Sequence, residues 1–144
     1  MANEIALTAA LVGLVDPLNA TVKSYIAGST ITKGQPVALA TDGTVDPADA
    51  SAGGGYLYEQ VVGVALNGGG AGQAIVVVRR GEIYGFTVSG MDSGDLVYVS
   101  DTVGRLSTVA GTVTVIVGRV APLADKSATE VISLDIDLAV AKAS

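Results

Sequence analysis

The chain has no cysteine and no histidine. Without cysteine there is no disulfide framework and no thiol nucleophile. Without histidine the usual general base near pH 7 and the commonest metal ligand are both missing. Neither a zinc site of the His/Cys type nor a Ser-His-Asp triad can be assembled from this chain alone, and no catalytic, cofactor-binding or metal-ligating residue is assigned. Tryptophan is also absent, and aromatic residues make up only 4% of the chain, so platforms for stacking sugars are few.

Charge is scarce as well. Asp, Glu, Lys and Arg total 15%, against about 25% in an ordinary soluble domain. Eight basic residues against fourteen acidic ones leave a net charge of −6. That sign repels a phosphate backbone, so nucleic acid is not an expected partner. Hydrophobic residues nonetheless reach 49%. A chain with so little charge to dress its outside is expected to cover apolar surface with other subunits.

No run is long enough to span a membrane as a helix. The longest apolar stretch, "IALTAALVGLV" at 5–15, falls well short of the ~20 residues required. Its flank also lacks the basic residues of a secretory signal, with Glu4 in their place. The stretch carries Ile5, Leu7, Leu11 and Leu14, and Asp16-Pro17 ends it. Residues 1–19 therefore read as an N-terminal arm, extended or briefly helical, outside a β-domain at 20–144. The four aliphatics are expected to dock on a neighbouring subunit or on a partner protein, the alternative being that the arm folds back as a strand or helix of its own domain.

What is present is β-sequence. Short stretches rich in β-branched residues recur between turn signals, at 20–27, 35–40, 56–66, 74–80, 82–88, 96–100, 112–121 and 130–138. In the last of these, Ile132, Leu134, Ile136 and Leu138 alternate with Ser133, Asp135 and Asp137. Seven or more such strands predict an all-β fold, a compact β-barrel or sandwich with the N-terminal arm. Pro36 restricts its strand to an edge or to a first position. A small-residue loop is expected at 46–55.

The glycine cluster "ALNGGGAGQ" at 65–73 raises the question of a phosphate site. Gly68, Gly70 and Gly72 begin a G-x-G-x-x-G spacing, but Gln73 and Ile75 stand where its last glycine belongs. Neither Lys23 nor Lys33 falls in a P-loop pattern. "AIVVVRR" follows, which is strand and not helix, so no helix N-terminus awaits an anion. A hairpin loop is expected, with Arg79 and Arg80 at the strand's end as candidates for ion pairs to a neighbouring subunit.

A weak internal repeat relates 33–66 to 93–121: "KGQPVALATDGTV" echoes "SGDLVYVSDTVGRL", and "VVGVA" echoes "IVGRVA". It raises one enzyme class, an acid-dyad hydrolase with Asp42 and Asp101 at equivalent turns. Such enzymes spell Asp-Thr-Gly, whereas these turns read Asp-Gly-Thr and Asp-Thr-Val. Asp and Gly are also what ordinary turns require, and the chain is expected not to be an enzyme. The acidic clusters lack the spacing of a calcium loop.

The series "ITKGQPVALATDGTV", "VVGVALNGGGAGQAIVVVRRGEIYGF", "SGMDSGDLVYVSDTVGRLST" and "VGRVA" resembles the capsid decoration, or cement, proteins of tailed bacteriophages. Matching positions are Lys33-Gly34, Val62-Gly63-Val64-Ala65, Gly72-Gln73, Gly81 and Gly94-Asp95-Leu96-Val97-Tyr98-Val99, within a resemblance spanning about residues 20–138. It implies a structural virion protein made in the host cytoplasm. That protein would bind the outer capsid surface as a homotrimer and clamp neighbouring major capsid protein subunits, without cofactor. Another virion, tail or surface β-module is the alternative among binding proteins.

Overall fold

In the computed structural model, which describes residues 4–51, 57, 60–88, 90–123 and 126–136, the chain is all-β, with a closed five-strand barrel and further strands outside it. The described residues form ten strands: β1 (Gly13–Leu14), β2 (Thr21–Ala27), β3 (Pro36–Leu39), β4 (Thr44–Pro47), β5 (Val61–Ala65), β6 (Ala74–Tyr84), β7 (Leu96–Val99), β8 (Leu106–Ser107), β9 (Ile116–Leu123) and β10 (Lys126–Asp135). Pro36 opens β3, the first position that its missing N–H allows.

The barrel runs β2-β4-β3-β5-β6, and a β2–β6 pairing closes it. Its interior holds Ala27, Ile31, Val37, Val45, Val62, Ala65, Ile75 and Val77, with Tyr25 and Leu39 at the margin. These are small and β-branched side chains, as a narrow five-strand ring demands. Closure also removes open edges, which a chain so poor in charge has few means to protect.

The two sequence runs 74–80 and 82–88 were expected as separate strands. The first and the start of the second are instead one strand, β6, whose eleven residues continue through Gly81. Gly81 has φ +133°, and a Cβ there would strike Ala20. The glycine lets the strand turn out of the barrel without ending. The first part of β6 pairs with β2 and β5. Its last part pairs with β10, from Asp135↔Arg80 to Ile132↔Ile83.

From β10 the sheet continues through β9 and β7 to β8. Strands β7, β8 and β9 are paired as β3, β4 and β5 are. Val37 faces Gly63 and Val97 faces Gly118, and in both cases the register slips at the next residue. Both glycines lie where the next strand crosses closely: a Cβ on Gly63 would overlap the carbonyl oxygen of Val78, and one on Gly118 that of Ser133.

The arm is where the structure departs most from the expectation. Residues 4–15 do not stand outside the fold. Glu4 bridges Ser107, Leu7 bridges Phe86, and β1 pairs with β6 through Gly13↔Tyr84 and Leu14↔Ile83. Backbone bonds run from Ile5 N to Leu106 O (2.8 Å), from Thr8 N to Gly85 O (2.9 Å) and from Val15 N to Glu82 O (2.9 Å). The arm thus fills the gap between β8 and the end of β6, completing a second ring of pairings around the larger core. Ile5 and Val12, each 2% exposed, belong to that core with Val97, Val99, Val117 and Ile132. Locally the expected break holds: Asp16 accepts from Leu18 N (3.1 Å) and caps a short 3-10 turn that Pro17 begins.

Part of the 46–55 loop is also structural. Ala48 and Ala50 are fully buried. Ala50 N donates to Ser100 O (3.0 Å), and Val113 N donates to Ala50 O (2.9 Å), tying the loop to the second ring. Ile132 and Leu134 of β10 and Ile136 just past its end are buried while Asp135 is exposed, as the alternation predicts. Leu138 and Asp137 lie outside the described residues.

Candidate interaction surfaces

The glycine cluster is the connection between β5 and β6, an antiparallel pair. Its amides are committed internally. Gly69 N donates to Ile31 O (3.0 Å), Gly70 N to Gln73 Oε1 (2.7 Å) and Gly72 N to Ala27 O (2.8 Å). Asn67 completes the loop, accepting from Val76 N (2.6 Å) and donating to Ala74 O (3.1 Å). A phosphate cradle needs several convergent free N–H groups. These three point into the protein's own carbonyl and amide oxygens, so the hairpin reading holds.

The two turn carboxylates are each engaged by a threonine. Asp42 accepts from the Thr44 hydroxyl (2.7 Å) and backbone N–H (3.0 Å). Asp101 accepts from the Thr112 N–H (2.8 Å) and hydroxyl (2.9 Å). An acid dyad instead needs two carboxyls sharing one proton. The Thr44 hydroxyl, and after it the Thr44 N–H, holds the Asp42 carboxyl below the ordinary carboxylate range. A folded-state pKa that is depressed stabilises above the unfolded pKa, and this contribution is lost as pH falls through the folded value. Asp42→Asn is therefore expected to melt below wild type near pH 7, with the gap closing in acid below the ordinary carboxylate pKa. Melting curves of both proteins across pH 2–7 test this, and a gap that widens in acid would refute it. The effect is small, because the site is fully exposed.

The six residues proposed from sequence as interface contacts divide. Ile5 is buried in its own chain, and Leu7 and Leu14 pack against the same core. Within the chain these three help close the second ring, Ile5 fully buried and Leu7 and Leu14 partly so. Leu11, at the apex of the arm's first 3-10 turn (Ala9–Leu11), is 60% exposed. Arg80 pairs with Asp135 within the chain (2.9 Å), both side chains largely exposed. Arg79, half-buried, donates to Ile136 O (3.3 Å). It also lines, with Lys23, Tyr25, Val62 and Val77, a cleft of about 290 Å³ at the barrel mouth, where the Lys23 ammonium sits 5.3 Å from the Tyr25 ring centre.

Exposed apolar residues that the sequence reading did not single out include Leu18 (94% exposed), Val22 (47%) and Ile26 (46%). In β2, Val22 and Ile26 alternate with Lys23 and Tyr25. Tyr25 turns toward the barrel interior, so the aliphatics face out. Alternation signals two faces there but not which is inside.

The two rings differ at matching positions. On the first, Val64 and Val78 are fully buried by the larger core. At the matching register of the second stand Arg119, exposed, and Ser133, half-buried. Together with Leu96, Ile116 and Asp135 they line an open cleft of about 410 Å³. Arg119 Nη1 donates to Gly94 O (2.9 Å).

No group of three or more potential metal-ligating side chains occurs among the described residues. Among them, too, no helix is long and apolar enough to cross a membrane. The chain matches no protein-family model, no curated protein and no solved structure.

Proposed function

We propose that this chain is a structural protein of a phage virion: a homotrimer on the outer capsid surface that clamps neighbouring major capsid protein subunits. The observation that carries this reading is the conjunction of a cross-braced β-scaffold with exposed large aliphatics. Leu11 and Leu18 project from the arm's turns and Val22 and Ile26 from the outer face of β2, in a chain with only 15% charged residues. Apolar groups held on rigid elements lose little entropy on docking. The outside of a head suits an acidic protein better than its DNA-facing interior. The family resemblance supplies the partner and the trimer. Chemistry plays no part in this reading, and Asp42 and Asp101 act as turn-formers.

Heads assembled from the major capsid protein of the same genome, expanded and mixed with the purified chain, test it. Saturable binding is expected, with ordered three-fold density on the outer surface in images of the particles. Absence of binding would remove the capsid reading, and monomeric density would remove the trimer. An acid-pH protease assay gives the rival reading its chance. No turnover is expected; turnover abolished by Asp42→Asn or Asp101→Asn would establish the hydrolase.

A further inference from the structure

A cleft of about 320 Å³ lies where the arm, the turn before β3 and the turn before β8 meet. Leu7 of the arm, Thr32, Lys33 and Gln35 of the first turn, and Gly104 and Arg105 of the second all line it. It carries two cations and no acidic residue. The ion pair of Arg80 with Asp135 lies elsewhere on the molecule.

Arg105 is held in place from one side. Its Nη2 donates to Ile5 O (3.0 Å), the carbonyl of a core residue of the arm. Its Nε is buried and has no hydrogen-bond partner, the one such side-chain atom among the described residues. A buried guanidinium N–H without an acceptor is costly and uncommon. The neighbouring backbone donors are already used: Gly34 N donates to Ala65 O (2.8 Å), Gly104 N to Ala48 O (2.8 Å) and Arg105 N to Thr102 O (3.3 Å). Gln35 Oε1 accepts from Thr32 N (2.9 Å), which turns its amide NH₂ toward Gly104. Side-chain donors, two of them charged, therefore remain around one concavity.

We propose that this cleft binds an oxyanion, a tetrahedral anion or a carboxylate, between the Lys33 ammonium and the Arg105 guanidinium. Guanidinium presents its N–H groups in a planar fork that suits such oxygens, and an ammonium adds a point charge. In a chain of net charge −6, a concave pair of cations is a local reversal of field that draws an anion in. The three walls belong to different parts of the chain, so an anion there braces the arm against both rings. This inference stands on the cleft alone and does not depend on the capsid reading.

Nitrogen-15 spectra of the full chain resolve arginine Nε–H signals and the amides of Gly34 and Gly104. Sodium sulfate and sodium acetate, each titrated at constant ionic strength against sodium chloride, are the two arms. A saturable shift of the Arg105 Nε–H signal and these amides is expected with at least one of them. Sulfate alone would mark a tetrahedral-anion site; acetate, alone or with sulfate, would mark a site able to take a carboxylate side chain. Lys33→Gln, with unchanged melting to show that it folds, should weaken half-saturation about tenfold, the worth of one charge-assisted contact. No saturable shift beyond that of chloride, or the same affinity in Lys33→Gln, would overturn the proposal.

Discussion

Removing residues 2–15 is expected to lower the melting temperature by at least about 10 °C or to prevent folding. The segment contains Ile5 and Val12, both within the larger core, and Leu7 and Leu14 packed against it. Fully burying a side chain of this kind contributes about 1.5–3 kcal/mol. The two buried residues and the two partly buried ones together therefore represent roughly 5 kcal/mol or more. A domain of this size has about 5–15 kcal/mol in total, and each kcal/mol shifts melting by about 2–4 °C. The truncation also strips the pairing partners from β8 and from the end of β6, leaving two open edges that invite aggregation. Leu11→Ser is the control. Leu11 is exposed and outside that core, so its loss is expected to move melting by no more than about 2 °C. Calorimetry of the three proteins decides the matter. A truncated chain that melts with wild type would mean that the arm is dispensable and the second ring self-sufficient.

Gly63→Ala and Gly118→Ala should each cost about 3 kcal/mol, at the upper end of overpacking effects. Both glycines stand at a register slip where the facing strand's carbonyl oxygen occupies the space of a Cβ: Val78 O for Gly63, Ser133 O for Gly118. Because the obstacle is backbone in a paired strand, it cannot rotate away as a side chain would. Gly72→Ala gives the comparison. Nothing lies within 4 Å of its Cβ position, and its φ of +87° leaves only the local cost of a left-handed backbone, about 1 kcal/mol. Urea unfolding of the three variants should rank the two strand glycines together and well below Gly72→Ala. Equal stabilities across the set would show that the strands can part at the slip with little cost.

Much of the β-architecture is legible in the residues themselves. Alternation in "EVISLDIDL" signals that Ile132 and Leu134 of β10 face the core, because successive side chains of a strand point to opposite faces. The glycine cluster reads as a hairpin because β-branched residues follow it, and its amides are spent on the protein's own oxygens: Gln73 Oε1 within the loop, and Ala27 O and Ile31 O outside it. The missing histidine and cysteine limit the chemistry before any fold is known.

Other features are decided only in three dimensions. The sequence 5–15 is apolar whether it docks on a neighbour, on a capsid or on its own domain. What settles it is that β8 and the end of β6 are left one strand apart, a gap set by pairings among residues far apart in sequence. Gly81 looks like the boundary between two strands, yet it keeps a single strand continuous where Ala20 comes too close for a side chain. The aliphatics of β2 cannot be assigned to inside or outside from alternation when Lys23 and Tyr25 share the other face; ring closure decides it. Lys33 and Arg105 are 72 positions apart, in turns that look like ordinary punctuation. They come to line one cleft because two separate turns and the arm converge there. Local preference is written residue by residue, whereas closure, edges and convergent charges depend on which distant segments the packed core brings together.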